Sequence, residues 1–285
     1  MSGPLKSGRR PDLISSRRNP LVKRLRDLHA PRGRREQGLL LLEGTHLLQE
    51  VRRLGLRPAE LVATECWLAA HPELAAGLPG WPDWQPVTQE VLAAAASTDN
   101  PDGVLLTLPP PVSAAPPGPS LASTTEGPAP LLLVLDAIQD PGNLGTLMRT
   151  ALAAGTTALW LGEGADPYQP KALRASAGAA LALPIWRGDR PALVERLSAL
   201  SAQGVQLVAT VPPRAGGKPY WDLDWCQSTA LLLGNEGAGL SPELLAFAHQ
   251  RVTIPHSTAV ESLNVAVAAA PLLLERQRQE RMPAS

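Results

Sequence analysis

The segment LLLVLDAIQDPGNLGTLMRTALAAGTTALWLG, residues 131–162, decides the fold of the larger part of this chain. It holds two apolar runs, 131–136 and 157–162, that are short enough to be strands and apolar enough to be buried on both faces. Between them, Asn143 can cap the start of a helix and Gly155 can end it. The segment therefore predicts a strand, a helix and a second strand parallel to the first.

Three more apolar runs continue this pattern along the chain. They are VQLVAT (205–210), TALLLG (229–234) and RVTIP (251–255), and helical patterns separate them. Uniformly apolar strands that alternate with helices form a parallel sheet covered on both faces, so we expect a doubly wound α/β domain over 131–280. Ligands of such sheets bind at the carboxyl ends of the strands, which makes the loops after these runs the candidate site.

A smaller α/β domain is predicted ahead of this sheet. Residues 38–42 indicate a strand followed by a helix, and 59–70 indicate a second strand and helix, which together define a domain over 36–108. Residues 109–130 are rich in Pro, Ser, Thr and Ala and have no apolar periodicity, which is typical of an extended linker. We therefore expect two globular domains joined by this linker.

Basic residues are concentrated at the N-terminus, although the whole chain has no formal net charge. Residues 1–35 carry eleven basic and two acidic side chains, a net charge near +9 that leaves the rest of the chain near −9. Within them, NPLVKRLRDLHA (19–30) has the apolar spacing of an amphipathic helix with basic residues on its other faces. Such runs are more often plain solvated surface, but they also bind phosphates. The candidates for phosphate contact are Arg17, Arg18, Lys23, Arg24 and Arg26.

Cysteine content and hydropathy indicate the compartment in which the protein works. Two cysteines, Cys66 and Cys226, are too few for a disulfide scaffold or a Cys-rich zinc site, and they suit a reducing compartment. No apolar run approaches the roughly 20 residues of a membrane span, and the N-terminus lacks the apolar segment of a secretory signal. We therefore expect a cytoplasmic protein without a membrane span or a bound metal.

Two loops after the predicted strands carry residues that a simple connection would not need. The loop and helix of 140–155 contain Arg149, which a solvated surface arginine explains equally well. The segment 234–244 holds Glu236 among glycines, and a plain glycine-rich turn before a helix explains it without any chemistry. Neither residue identifies a site by itself.

A third loop, within 254–270, leads into a long apolar helix. Ser262 stands where the N-cap of this helix is expected, and Asn264 is a polar residue among Val, Ala and Leu. Asn264 either makes local capping hydrogen bonds or projects its amide into a pocket formed with the two other loops. The pattern alone does not decide between these two interpretations.

Taken together and in this order, the three segments resemble the three signature motifs of the SpoU, or TrmH, branch of the knotted methyltransferase superfamily. Residues 170–186 are similar to the family's stretch between its first and second motifs, so that the likeness covers 131–277. Residues 14–50 resemble the RNA substrate-binding module that many of these enzymes carry. The residues that match the three motifs are Asn143, Gly145 and Arg149, then Gly234, Glu236, Gly237, Gly239 and Leu240, then Ser262, Leu263 and Asn264.

This resemblance implies a fold, a cofactor and a reaction. The C-terminal domain is expected to contain a deep trefoil knot, an exception to the unknotted topology of most proteins. S-adenosylmethionine is expected in a pocket formed by the knot, with its adenine against backbone groups around Gly234, Ile254 and Leu263 and near Thr210. The implied reaction is methylation of a ribose 2′-hydroxyl in RNA, with 23S ribosomal RNA favoured over transfer RNA. The family's enzymes are homodimers whose active site lies at the subunit interface.

The resemblance also implies roles for single side chains. Arg149 is expected to stabilise the hydroxyl oxygen as it loses its proton and to hold the adjacent phosphate, because arginine stays protonated; a role as general base is the alternative. Glu236 is expected to orient Arg149 or a neighbouring residue. Ser262 and Asn264 are expected to hold the ribose or the loop by hydrogen bonds, and Asn143 completes the catalytic set.

Three positions depart from the family pattern, and two other functions stay open. His256 and Thr258 stand where Met and Gly are usual, and Pro271 predicts a bend in the last helix. One alternative function is a catalytically silent protein for RNA binding or ribosome assembly on the same fold. The other is a nucleotide-dependent oxidoreductase, which the α/β pattern and glycine loops also permit.

Overall fold

The computed structural model of the chain describes residues 11–111 and 129–281. The predicted linker, 109–130, therefore lies mostly outside the described residues. So do the first ten residues of the predicted basic segment, 1–35. The described residues form two compact units: the first comprises the residues up to Pro110 together with Tyr168–Pro170, and the second comprises the remaining residues.

The first unit is a small sheet with helices packed against it. Its elements in chain order are α1 (Pro20–Asp27), α2 (Pro31–Gln37), β1 (Leu40–Glu43), α3 (Thr45–Arg53), β2 (Glu60–Thr64), α4 (Glu65–Ala70), α5 (Pro72–Ala75), β3 (Trp84–Val87), α6 (Gln89–Ala95) and β4 (Val104–Leu108). The strand order is β1-β4-β2-β3, with β4 antiparallel to both neighbours and β3 parallel to β2. Val22 and Leu25 of α1 pack in the same core as Leu41 and Val62 of the sheet.

Helix α1 lies at the predicted amphipathic segment, but the predicted strand over 38–42 is displaced. It begins at Leu40, because Gly38 adopts a left-handed conformation (φ 63°) and ends helix α2. Helix α2 itself was not predicted, since its residues PRGRREQ contain no apolar side chain that would mark a helical stripe.

The second unit is a seven-stranded sheet with helices between the strands. Its elements in chain order are β5 (Leu131–Leu135), α7 (Pro141–Ala153), β6 (Ala158–Leu161), α8 (Pro170–Ser176), α9 (Ala179–Ala182), β7 (Ile185–Arg187), α10 (Arg190–Ala202), β8 (Gln206–Thr210), β9 (Lys218–Pro219), β10 (Thr229–Leu233), α11 (Pro242–Ala246), β11 (Gln250–Thr253) and α12 (Val265–Arg281). Two short 3-10 turns, Pro213–Ala215 and Tyr220–Asp222, flank β9. Helix α12 continues through Pro271 without ending.

All strands of the second sheet are parallel, in the order β7-β6-β5-β10-β8-β11-β9. Every residue of β5 and β10 is buried, as the uniformly apolar runs predicted for strands covered on both faces. The predicted parallel-sheet α/β domain is thus confirmed. Strands β7 and β9 were missed because β7 has three residues, two of them not buried, and β9 has only two residues and pairs with β11 alone.

This topology brings three strand ends to one edge of the sheet. Strands β8, β10 and β11 end at Thr210, Leu233 and Thr253, and because the strands are parallel neighbours their carboxyl ends lie side by side. Gly145 affects the packing of α7, the helix that follows β5. A Cβ there would come within 2.4 Å of the Ala175 Cβ, so glycine is what allows helices α7 and α8 to approach this closely.

Candidate active site

A cavity of about 420 Å³ lies at the carboxyl ends of β8, β10 and β11. Its wall is drawn from the segments that follow these strands, within 210–214, 233–239, 253–256 and 261–268. All four residues expected to contact the cofactor line it. They are Thr210, Gly234, Ile254 and Leu263. Its volume lies in the range of about 300–1,000 Å³ that is usual for small-molecule sites.

Two threonine hydroxyls in the cavity wall are buried without a partner. The Oγ1 atoms of Thr210 and Thr253 are shielded from solvent and make no hydrogen bond to any described residue. Buried hydroxyls are normally hydrogen-bonded, since leaving one unpaired costs free energy. A ligand with polar groups at this end of the cavity would satisfy both hydroxyls.

The glycine-rich loop after β10 closes tightly on itself. Asn235 and Gly239 exchange two backbone hydrogen bonds of 3.0 Å each, and Gly239 has a positive φ of 72°. A Cβ on Gly234 would lie 2.1 Å from the carbonyl carbon of Gly239. Glycine is therefore required at position 234 because the loop packs closely against its own backbone there. The family resemblance had implied only that the backbone at Gly234 approaches the cofactor.

Two residues that sequence analysis did not single out hold this loop in place. The Asn235 side chain accepts hydrogen bonds from two backbone N–H groups of the loop and donates one to the Ala137 carbonyl (2.8 Å). The buried carboxylate of Asp136 accepts a hydrogen bond from the Ser241 backbone N–H (2.8 Å) and pairs with Arg190 (3.2 Å). An Asn inside a glycine turn and an Asp at the end of an apolar strand were the available signals.

Glu236 connects the glycine loop to the first motif. Its carboxylate accepts hydrogen bonds from the backbone N–H groups of Gln139 (3.2 Å) and Asp140 (3.3 Å) and from the Asn143 side-chain amide (3.1 Å). Glu236 thus contacts Asn143, which lies six residues before Arg149 on α7, and no hydrogen bond joins Glu236 to Arg149 among the described residues. Burial opposes its ionisation, but these donors outweigh burial and lower the pKa of the Glu236 carboxyl.

The amide of Asn143 carries the connection on to the third motif. Its Oδ1 accepts a hydrogen bond from Nδ2 of Asn264 (3.0 Å), and Oδ1 of Asn264 accepts from the backbone N–H groups of Ala266 (2.9 Å) and Val267 (3.2 Å). Glu236, Asn143 and Asn264 therefore form one hydrogen-bonded chain, which we call the amide relay. It ends at the first turn of α12 and joins residues from all three motifs.

Two helix caps in the structure differ from the predicted ones. Asn143 was expected to cap α7, but Asp140 does so by accepting from the Asn143 backbone N–H (2.8 Å). Lys171 and that N–H together lower the pKa of the Asp140 carboxyl. Ser262 was expected to cap α12, but the Asn264 side chain does so, and Ser262 is exposed in the cavity wall.

Arg149 lies further along α7, with its side chain in solvent. It makes no hydrogen bond or ion pair with any residue in the described ranges. The structure thus joins Asn143, Glu236 and Asn264 directly, and leaves Arg149 and Ser262 outside this hydrogen-bonded group. A protonated, unpaired guanidinium is available to bind an anionic group of a substrate.

The first unit contains a separate basic cleft of about 340 Å³ around the start of α1. Four of the five predicted phosphate-contact residues line it, namely Arg17, Arg18, Lys23 and Arg26. None of these four side chains forms an ion pair with a described residue. The fifth, Arg24, lies outside the cleft and makes a double hydrogen bond to the Glu60 carboxylate (2.6 Å each), which raises the pKa of Arg24.

Within residues 11–111 and 129–281, no three His, Cys, Asp or Glu side chains are grouped so as to hold a metal ion. None of the helices in those ranges combines the length and apolar character needed to cross a membrane.

Comparison with known proteins places this geometry in a family. Models of the SpoU rRNA Methylase family and of the MRM3-like substrate binding domain match residues 130–274 and 19–106. The chain is 43% identical over 272 residues to an uncharacterized tRNA/rRNA methyltransferase of Synechocystis sp., covering 94% of both chains. It is 34% identical over 262 residues to the 23S rRNA (guanosine(2553)-2′-O)-methyltransferase RlmP of Bacillus subtilis, covering 91% of this chain and 97% of that one.

A solved structure is also similar to nearly the whole chain. The AdoMet-bound rRNA methyltransferase from Sinorhizobium meliloti superposes with a TM-score of 0.77 and 30% identity, over 94% of this chain and 98% of that one. The family model covers half of the chain, and the relatives align along nearly all of it. The chain therefore belongs to the SpoU rRNA methylase family.

Proposed function

We propose that the chain transfers a methyl group from S-adenosylmethionine to a ribose 2′-hydroxyl in RNA, and that its substrate is 23S ribosomal RNA rather than transfer RNA. The observation that carries this proposal is the convergence of three distant motifs, through the amide relay, beside a cavity at the carboxyl edge of the sheet. The full-length similarity to the B. subtilis enzyme, whose name specifies 23S rRNA, supports the choice of substrate.

The cavity fits the proposed cofactor. Adenosine presents several hydrogen-bonding groups on an apolar ring system, and the wall offers two unpaired buried hydroxyls, from Thr210 and Thr253, beside the apolar side chains of Ile254 and Leu263. When bound, S-adenosylmethionine supplies an electrophilic methyl group on a sulfonium. We assign its adenine to the wall around Thr210, Gly234, Ile254 and Leu263.

Arg149 is our choice for the side chain that acts on the RNA. The reacting hydroxyl loses a proton as its oxygen attacks, so negative charge develops on that oxygen. A guanidinium that has no hydrogen-bond or ion-pair partner among the described residues can stabilise this charge and hold the neighbouring phosphate. A role of Arg149 as general base remains the alternative, and Ser262 and Asn264 are assigned to hydrogen bonding of the ribose or the loop.

The amide relay is assigned a positioning role. Glu236 ties the start of α7 to the glycine loop, and Asn264 ties the start of α12 to both. Orientation of the reactants supplies a large part of enzymatic rate enhancement, and displacements of about 1 Å can cost about 100-fold in rate. We therefore place Asn143, Glu236 and Asn264 in the catalytic set through the geometry that they fix.

RNA binding is assigned to the first unit and its basic cleft. We propose that residues 1–35 contact phosphates, that 36–108 form the substrate-binding domain, and that 109–130 link it to the methyltransferase domain over 131–280. Four unpaired cations around one cleft repel each other, and a polyanion relieves this repulsion.

The basic cleft can be tested by the salt dependence of RNA affinity. Each phosphate contact contributes about 0.7 to 0.9 to the slope of log affinity against log salt. Substituting Lys23 and Arg26 together by glutamine should lower that slope by about 1.4 to 1.8. The matched control is a double substitution of Arg52 and Arg53, which lie on α3 outside the cleft. Equal slopes for both variants would exclude the cleft as a phosphate site.

A homodimer and a knot are also proposed. Val267 and Leu274 lie seven residues apart on one face of α12 and are 61% and 43% exposed, and Leu152 of the contacting helix α7 is 38% exposed. This apolar face is our candidate for the dimer interface.

The strand order bears on the proposed knot. Strand β10 lies between β5 and β8, and β11 lies beyond β8, so the chain reverses its direction of travel across the sheet. This reversal is compatible with the trefoil knot expected of the family.

The cytoplasm remains the proposed compartment. Cys66 and Cys226 are both exposed and free in the structure, as suits a protein that works under reducing conditions.

Methyl transfer should be tested with purified protein, isotopically labelled S-adenosylmethionine, and 23S rRNA and tRNA from cells lacking the protein. We expect label on one ribose of 23S rRNA, located by alkaline-resistance mapping, and none on tRNA. The Arg149→Ala variant should bind S-adenosylmethionine but transfer no methyl group. Tight RNA binding without transfer to any RNA would instead favour a catalytically silent RNA-binding protein. Binding of a nicotinamide dinucleotide would favour an oxidoreductase.

A further inference from the structure

The cavity wall contains an unequal distribution of charged side chains. Three carboxylate or guanidinium groups line it, those of Arg214, Glu236 and Glu261. Both oxygens of Glu236 already accept hydrogen bonds from the first motif. One cation and one anion, Arg214 and Glu261, are therefore left to interact with a ligand.

Arg214 and Glu261 pair with each other across two loops. Nη1 of Arg214 lies 2.9 Å from Oε1 of Glu261, and the two side chains are 73% and 76% exposed. Ion pairs as exposed as this one contribute little to stability, since solvent screens them. The pair can therefore separate at small cost when a ligand offers each group a better partner.

The loop that carries Arg214 is held more firmly than its exposure suggests. Pro212 and Pro213 fix the backbone before it, and Gly216 ends the 3-10 turn in a left-handed conformation (φ 77°). Gly217 packs so closely on β11 that a Cβ there would lie 2.9 Å from the Val252 carbonyl carbon. The backbone thus holds Arg214 at the cavity, and only its exposed pair with Glu261 restrains the guanidinium among the described residues.

The rest of the wall differs chemically from this charged pair. Thr210, Thr253, Ile254 and Leu263 offer hydroxyl and apolar groups and no charge. The matching ligand is uncharged and partly apolar at one end and carries both a positive and a negative group at the other. S-adenosylmethionine has this form, because adenosine is neutral and the methionine end bears an α-carboxylate and an α-ammonium.

We infer that Arg214 binds the α-carboxylate and Glu261 the α-ammonium of the methionine moiety, and that in the free protein the two side chains pair with each other in place of that ligand. This inference rests on the proposed function, since it assigns the second end of the same cofactor. It makes Arg214 and Glu261 specificity residues for an adenosine that carries an amino-acid group.

The test is calorimetric binding of three ligands to the full chain. They are S-adenosylmethionine, S-adenosylhomocysteine and 5′-methylthioadenosine, and the last lacks the amino-acid group. Arg214→Gln and Glu261→Gln should each weaken binding of the first two by about tenfold, the size of one charge-assisted hydrogen bond. Binding of 5′-methylthioadenosine should stay unchanged, which also shows that the variants are folded. Glu195→Gln, an exposed change on α10 outside the cavity, is the matched control.

A charge reversal separates ligand recognition from a merely structural ion pair. The double variant Arg214→Glu with Glu261→Arg can restore the pair but offers the ligand reversed charges. Recognition predicts that it binds S-adenosylmethionine no better than the single variants. Recovery of wild-type affinity, or single variants that lose 5′-methylthioadenosine equally, would overturn the inference. If the wild-type protein bound none of the three ligands, the proposed function itself would fail.

Discussion

The substitution Asn143→Asp tests the amide relay with a change of nearly constant shape. It replaces the Nδ2 group that donates to Oε1 of Glu236, at 3.1 Å, by a carboxylate oxygen. Two unit charges at that distance repel by about 1.3 kcal/mol in bulk water and by about 5 kcal/mol at an effective dielectric constant of 20. Because Glu236 is largely exposed, we take the lower part of this range and expect a free energy of unfolding lower by about 2 kcal/mol at pH 7.5.

The effect on activity should depend on pH in a defined direction. Two carboxylates in contact raise the apparent pKa of the pair, so one proton is shared as the pH falls. The protonated pair again has a donor between the introduced carboxyl group and Glu236, and the relay re-forms. We expect a loss of methyl transfer of about 100-fold at pH 7.5 and a smaller loss at pH 5.5, each relative to wild type at the same pH.

A matched control separates this contact from a general effect of added charge. Thr146→Asp places the same charge one helical turn along α7, where the exposed threonine hydroxyl bonds only to the Gly142 carbonyl within the described structure. Its unfolding free energy and its activity should both stay near wild type. If the two variants lost activity equally, or if the loss for Asn143→Asp were the same at both pH values, the relay would not be the cause.

Three further substitutions test single side chains, two in the second unit and one in the first. The pKa of Glu236 is lowered in the folded state, so its stabilising contribution is present above the unfolded pKa and is lost as pH falls through the folded pKa. Glu236→Gln should therefore reduce the pH dependence of the free energy of unfolding on the acid side, as measured by urea unfolding. An unchanged pH dependence would contradict this prediction. Arg149→Ala should keep wild-type thermal stability and cofactor affinity while turnover falls by at least about 100-fold, because this side chain is exposed and makes no hydrogen bond or ion pair with a described residue; full activity would remove it from the mechanism. Arg24→Gln should lower stability by about 1 kcal/mol through loss of the Glu60 pair and leave the salt slope of RNA binding unchanged, and a reduced slope would return Arg24 to the phosphate contacts.

The sheet could be predicted from the sequence because its signal is local. Residues 131–135 and 230–233 are apolar at every position, the pattern of a strand buried on both faces. Strand β9 could not be predicted, since its two residues become a strand only by pairing with β11. The prediction of helix caps fails for a related reason. Several residues with good capping side chains lie close together in the chain, and the local sequence favours them almost equally.

The caps show where local reasoning ends. Asp140 and Asn143 are both good N-cap residues, and so are Ser262 and Asn264. The choice is made by partners far away in sequence, since Asn143 is hydrogen-bonded to Glu236, 93 residues later, and to Asn264, 121 residues later. The sequence motifs contain Asn143, Glu236 and Asn264, but only the folded sheet shows which atoms of these residues meet.

The amide relay has a direction that its two ends impose. The Glu236 carboxylate can only accept, so Asn143 must turn its NH₂ group toward it and its oxygen toward Asn264. The backbone N–H groups at the start of α12 can only donate, so Asn264 must turn its oxygen toward them and its NH₂ group toward Asn143. Both ends thus demand the same orientation of both amides, and neither asparagine can flip without leaving two donors or two acceptors facing each other.

The Glu236 carboxylate links the cavity to α7, the helix that carries Arg149. The glycine loop contributes both the cavity wall and the Glu236 carboxylate, so a ligand that shifts the loop also shifts the acceptor on which the relay depends. The first turn of α7 is fixed by the same carboxylate through Gln139 and Asp140. We therefore expect a cofactor bound against this loop to affect the start of α7, the helix that carries Arg149.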